Sequence, residues 1–240
     1  MTERLNDGTS PIPVSYDPGG IDGFAVIIED PNQFVIVDNN IGIFPGATLS
    51  TWILPIDLAE WHVVMETTGE EDGSIHLFQE DDLLIGEVFG GGYAEGVEVV
   101  AEVWQHAVLV YNSVDEVIQL YLNGELIAED DADADVWAQV GPLTIGAAMS
   151  AEEGKVDYFA GGIDDTRIYN YALTCVQVAS LYTHDDFMPE AEVCCVDYST
   201  DLSGSEDVPD CRVDIYDLVA FVQNWWLECN MVPDCAFELP

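Results

Sequence analysis

The chain has 240 residues, and 4 Lys+Arg stand against 47 Asp+Glu, a formal net charge of −43. A surface with so few cations has nothing to neutralise phosphates, which excludes nucleic-acid binding and argues against docking on anionic lipid. Because 49% of residues are hydrophobic and 10% aromatic, the chain can still bury a core and reads as folded rather than disordered.

In chain order, residues 1–20 read as a loose, polar leader without the apolar core of a signal peptide. The chain is therefore expected to lie inside a longer precursor or to be exported by another route. From residue 24 short apolar runs follow one another: FAVIIE (24–29), QFVIVD (33–38), TLSTWILP (48–55), WHVVMET (61–67), SIHLFQ (74–79) and LLIGEVF (83–89). They continue with GVEVVAE (96–102), WQHAVLVYN (104–112), VIQLYLNGELIAE (117–129), PLTIGA (142–147) and YFAGGIDDTRIY (158–169). Strands this short at roughly ten-residue spacing predict an all-β sandwich or jelly roll rather than an α/β fold. Within 117–129, Ile118, Leu120 and Leu122 alternate on one face, and Asn123 and Gly124 predict a type I′ hairpin turn. Thr174 reads as the N-cap of a short closing helix, CVQVASLY. No run of 18 apolar residues is present, so no membrane span is predicted.

Six cysteines occur, at 175, 194, 195, 211, 229 and 235. Their crowding towards the C-terminus predicts disulfides stapling a segment too small for its own core, and hence an extracellular or cell-surface location. A zinc site would need CxxC pairs or nearby His, and the tail has neither. The negative charge is open to three readings: adaptation to high salt, loading with divalent cations, or simple solubility.

Three stretches point to a family. WQHAVLVYNSVDEVIQLYLNGELIAE, PLTIGA and YFAGGIDDTRIYNYALTCVQVASLY resemble the laminin-G-like, concanavalin A-like jelly-roll family. The Trp-x-His strand falls at 104–106, the LYLNGE hairpin at 120–125 and the GGIDDTRIYNYAL closing strand at 161–173. IIEDPNQFVIVDN (27–39) resembles the family's early paired strands. The resemblance spans about 21–185 and implies a concanavalin A-like jelly-roll β-sandwich, in a family composed mostly of binding and adhesion modules. The family's usual first strand is not visible before residue 21. Either an edge strand is missing or SYDPGG is its remnant.

A second resemblance lies in the tail, 186–240, expected to be small, mainly helical and disulfide-rich. DLSG (201–204) and DCRVDIYDLVAFVQNWW (210–226) resemble half of a dockerin-like, EF-hand-type calcium loop with its helix. An EF loop takes oxygen ligands at positions 1, 3, 5, 7, 9 and 12. The resemblance places Ca²⁺ ligands at Asp201, Ser203, Asp210, the Arg212 carbonyl, Asp214 and Asp217, with 205–209 as an insertion. The helix carries Ile215, Leu218, Val222, Trp225 and Trp226 at helical spacing, a face that meets either a partner or the rest of the chain.

Other candidates are weighed singly. Asp164 and Asp165 fall where related jelly rolls hold a structural calcium, against the alternative of hydrogen-bonded acids beside Arg167. His106 reads as a core or hydrogen-bonded histidine. Trp52, Trp61, Trp104 and Trp137 form either a sugar-stacking platform or core. DDADAD (130–135) reads as a solvated loop. Glycosidase jelly rolls need paired carboxylates on an E-x-D-x-x-E strand. The nearest match, EDDLLIGE (80–87), places its last Glu two residues late, about 7 Å along a strand.

The reading is thus a non-catalytic extracellular module that recognises a glycan or cell-surface protein, with calcium-stabilised structure. Two alternatives remain: a structural or adhesion subunit self-assembled by calcium bridging and edge-strand pairing, and a fragment of a glycoside hydrolase.

Overall fold

The computed structural model describes residues 9–30, 33–38, 42–59, 61–67, 71–148 and 158–183. The tail segment from 186 onward, with its expected helix, calcium loop and five of the six cysteines, lies outside the described residues.

Two antiparallel sheets face each other. The first has the spatial order β1 (Ser15–Gly20), β2 (Gly23–Ile28), β15 (Gly161–Tyr169), β5 (Gly46–Pro55), β10 (Gln105–Asn112), β11 (Val117–Leu122) and β12 (Glu125–Asp131). The second has the order β3 (Val35–Val37), β14 (Leu143–Ile145), β6 (Trp61–Thr67), β7 (Ile75–Glu80), β8 (Leu83–Val88) and β9 (Gly92–Glu98). A two-stranded ribbon, β4 (Gly42–Phe44) against β13 (Ala138–Val140), stands apart from both. The β-sandwich expected from the spacing of apolar runs is the fold observed.

The core lies between the sheets. Leu49, Leu109, Tyr111, Ile118 and Leu120 from the first sheet meet Met65, Ile75, Leu77, Leu84 and Val88 from the second. A Cβ on Gly86 would come within 2.4 Å of Leu109 Cδ1, so this glycine lets the two sheets approach closely. Strand β10 is buried on both faces, which explains its unbroken apolar run. Its outward Val108 and Val110, with Tyr121, are covered by Leu173 and by helix α1 (Cys175–Thr183), which contributes Cys175, Val178 and Ala179. Thr174 caps that helix reciprocally: its N–H donates to Gln177 Oε1 at 2.8 Å, and the Gln177 N–H donates to Thr174 Oγ1 at 3.3 Å. Asn123 (φ 54°) and Gly124 (φ 83°) form the predicted tight turn, both in the left-handed region that type I′ demands.

SYDPGG, within the segment read as a loose leader, is strand β1, paired with β2 through Tyr16 and Val26. The jelly roll therefore has its edge strand. The sheet edges also carry features that resist strand addition. Strand β1 contains Pro18 and a bulge between Asp17 and Gly20. Strand β12 exposes Glu125, Glu129, Asp130 and Asp131, and β9 exposes Glu95 and Glu98. Strand β3 is bridged by Thr9, which exchanges backbone hydrogen bonds with Ile36.

Candidate functional site

The ribbon β4–β13 and the turn before β7 frame an open cleft of about 320 Å³, lined by Ile43, Asp72, Asp135, Val136, Trp137 and Gln139. Its volume falls at the lower end of the small-ligand range. Trp137 is 51% exposed and Ile43 59%, so two large apolar side chains meet water there. Ile43 and Gln139 are cross-strand neighbours.

The cleft is built from beneath. Tyr111 is fully buried in the core, and its hydroxyl donates to the carbonyls of Asp133 (3.1 Å) and Val136 (2.8 Å). Burial first, and then the nearby Asp133 carboxylate, pushes the Tyr111 phenol up to about 12. The loop is held at further points, with Asp133 N–H donating to the Gly91 carbonyl and Asp135 N–H to Asp133 Oδ1. On the other side Gln139 N–H donates to the Gly73 carbonyl at 2.8 Å, and Gln139 Nε2 donates to the Asp72 carbonyl. Gly73 has φ +89°, and a Cβ there would lie 2.2 Å from the Trp137 carbonyl oxygen. Only glycine lets this turn close against the tryptophan. Among the described residues, the carboxylates of Asp72 and Asp135 have no hydrogen-bond or ion-pair partner. The result is a half-exposed aromatic side chain, carried on a held loop, in one cleft with two open carboxylates and an amide oxygen. An aromatic face suits the C–H face of a sugar, and carboxylates accept strong hydrogen bonds from hydroxyls.

The other candidate tryptophans are dispersed. Trp52 is 7% exposed, stacked on Tyr182 (5.5 Å, 25°) and tilted against His106 (5.2 Å) on the outer face of the first sheet. Trp61 stacks on buried Phe78 (4.0 Å, 17°) on the outer face of the second sheet. Trp104 is half-buried, and a Cβ on Gly162 would meet its ring at 2.9 Å. The four form no single platform. His106 is buried and shares a 3.0 Å hydrogen bond with Ser50 Oγ.

Of the expected metal ligands, Asp164 and Asp165 lie in β15. Asp164 Oδ2 accepts the N–H groups of Ile21 (2.6 Å) and Asp22 (2.9 Å), tying down the β1–β2 turn, and its Oδ1 accepts Asp165 N–H at 2.8 Å. Asp165 receives Arg167 through Nε and Nη2, both at 2.8 Å. These oxygens are engaged by N–H donors, and among the described residues no three acidic, His or Cys side chains gather as a metal set. Asp201, Ser203, Asp210, Arg212, Asp214 and Asp217 lie outside the described residues. The stretch 80–87 is not one strand: Asp81 (φ 53°) and Asp82 turn the chain between β7 and β8, so Glu80 and Glu87 sit on neighbouring strands. The single-strand carboxylate arrangement is thereby absent from this stretch.

The laminin G family model described as the concanavalin A-like lectin/glucanases superfamily matches residues 32–179, well over half of the chain. The chain belongs to this superfamily. Solved structures of similar fold include domain 4 of AbnA, an extracellular arabinanase from Geobacillus stearothermophilus, in complex with arabinotriose (TM-score 0.57, 17% identity, 75% of this chain and 84% of that one). Another is the botulinum neurotoxin serotype D ligand binding domain in complex with N-acetylneuraminic acid (TM-score 0.58, 13% identity, 75% and 46%). A third is the heptameric SAP-like pentraxin from Limulus polyphemus (TM-score 0.52, 16% identity, 75% and 83%). The chain spans about half the length of the toxin binding domain, and at these identities the likeness concerns the fold alone. No curated protein matches the chain in sequence.

On this concanavalin A-like frame the sequence pointed to Trp137 but not to its companions. Asp135 sits in DDADAD, which looks like any solvated acidic loop, and Gln139 and Ile43 belong to strands too short to show a period. The signal that could have found the cleft is Trp137 following that acidic run.

Proposed function

We propose that this protein is an extracellular, non-catalytic glycan-binding module, and that the Trp137 cleft is its binding site. One observation carries the reading: a half-exposed tryptophan, on a loop held by the Gly73 turn and by Tyr111, shares a cleft of ligand size with open polar acceptors. Membership of a lectin-containing superfamily supports it, as do similar folds that carry sugars in neighbouring proteins. Clustered cysteines support the extracellular setting. A cell-surface glycoprotein would present the same chemistry through its glycans. Among the described residues no helix is long and apolar enough to cross a membrane.

Calcium enters this proposal through the tail. Asp201, Ser203, Asp210, the Arg212 carbonyl, Asp214 and Asp217 would supply hard oxygen ligands to a stabilising Ca²⁺. Asp164 and Asp165 are the weaker candidates, since their oxygens accept protein N–H groups and among the described residues no third acidic, His or Cys side chain joins them. Assembly by strand addition is the weaker reading, since Pro18, the β1 bulge and the acidic edges of β9 and β12 oppose it.

Calorimetric titration with neutral, amino and acidic oligosaccharides tests the site. At least one class should bind, and Trp137→Ala should weaken it tenfold or more. Absence of binding across the panel, or equal binding by the variant, would overturn the proposal.

A further inference from the structure

We infer that the Trp137 cleft selects sugars carrying a protonated amine, preferring them over N-acetylated or neutral counterparts and rejecting uronates. The inference rests on the glycan-binding reading and names its substrate class.

Three observations lead to it. First, the polar wall of the cleft is supplied by Asp72 and Asp135, with Gln139 beside them, and contains no cation. Neither carboxylate has a protein partner among the described residues, so a bound ammonium would meet acceptors that no arginine or lysine has already engaged. Second, the Trp137 ring is half-exposed. An indole face attracts a cation as well as a C–H face, and it attracts no anion. Third, the rest of the molecule reinforces this sign. Arg167 is the one Lys or Arg among the described residues, and Asp165 binds it bidentately. A chain of net charge −43 draws cations towards any cleft it contains and repels carboxylated or sulfated chains. A hexosamine with a free amine combines the apolar ring face that fits Trp137 with the positive charge that fits Asp72 and Asp135.

Three β1,4-linked or pectic tetrasaccharides of equal length separate the possibilities: glucosamine, N-acetylglucosamine and galacturonate. Titrations run at about pH 5, well below the range of an amine lowered by neighbouring ring oxygens and above that of an ordinary aspartate, so that the glucosamine amines are protonated. The glucosamine tetramer should bind at least tenfold tighter than its N-acetylated twin at low salt, and the galacturonate tetramer should not bind. The advantage should shrink in 1 M NaCl, where screening acts over roughly 3 Å. In a double variant, Asp72→Asn with Asp135→Asn, the affinity ratio of the two hexosamine tetramers should fall to about one. Trp137→Ala should abolish both.

Equal or tighter binding of the N-acetylated or uronate chain at Trp137 would overturn the amine preference and leave glycan binding standing. A preference that persists in the double variant, or in Trp137→Ala, would assign it to the general acidic surface and overturn the inference likewise. Failure of every tetramer to bind would overturn the glycan reading together with it.

Discussion

Trp52 and Trp137 differ in almost everything except side chain. Trp52 lies in β5 on the outer face of the first sheet, 7% exposed between Tyr182 and His106. Trp137 precedes β13, 51% exposed above a cleft. They are positioned by different means. Neighbouring rings hold the first. Backbone hydrogen bonds, a glycine turn and one buried hydroxyl hold the loop that carries the second and leave its side chain half exposed. A ring enclosed by packing is spent on stability, whereas a half-exposed ring on a held loop keeps surface available for a ligand.

Substituting the two tryptophans sharpens this contrast most. Trp52→Ala should cost about 3–5 kcal/mol in denaturant unfolding, the range for deleting a buried aromatic. Trp137→Ala, which deletes a side chain only half buried, should cost less, about 1–2 kcal/mol, while losing glycan binding. If instead Trp137→Ala unfolds the domain, the cleft is core and the comparison fails.

The supports of the cleft come next. Gly73→Ala puts a Cβ against the Trp137 carbonyl at φ +89°, so chain and tryptophan must part. A loss of about 1–3 kcal/mol is expected, with weakened ligand binding in the same titration. Tyr111→Phe removes the donor to the Asp133 and Val136 carbonyls. It should cost about 1–3 kcal/mol and loosen the loop, seen as faster amide exchange at Asp135 and Val136.

The smallest effect concerns alkaline pH. The Tyr111 phenol is raised from 10.0 to about 12 in the folded state, so the folded chain holds this proton more tightly than the unfolded one. That contribution is complete below about pH 10 and is lost as pH rises towards 12. Chemical melts across this window should show stability falling in the parent and a flatter profile in Tyr111→Phe.

The sandwich was legible because its long strands obey period two or run apolar throughout, as β10 does when buried on both faces. The hairpin at Asn123 and Gly124 and the Thr174 cap were legible because their chemistry is local. The ribbon β4–β13 was not, since three residues show no period, and its partners are about a hundred residues apart. β1 was legible only as one of two alternatives, for another reason: Pro18 and paired glycines look like a linker, and only pairing with β2 and the Asp164 carboxylate makes them a strand. The cleft shared both difficulties. Its tryptophan was visible with Asp135 and Gln139 two residues to either side, but Ile43 and Asp72 come from two other places that only the fold brings to that stretch.

The most direct test is a titration followed through the six tryptophan indole N–H resonances, with Trp137 assigned by Trp137→Phe. Glucosamine and N-acetylglucosamine tetrasaccharides are added in parallel. The account predicts a saturable shift of the Trp137 resonance with at least one of them, and none for Trp52 beneath Tyr182. A shift centred on Trp61, or no shift of Trp137 with either sugar at millimolar concentration, would contradict it.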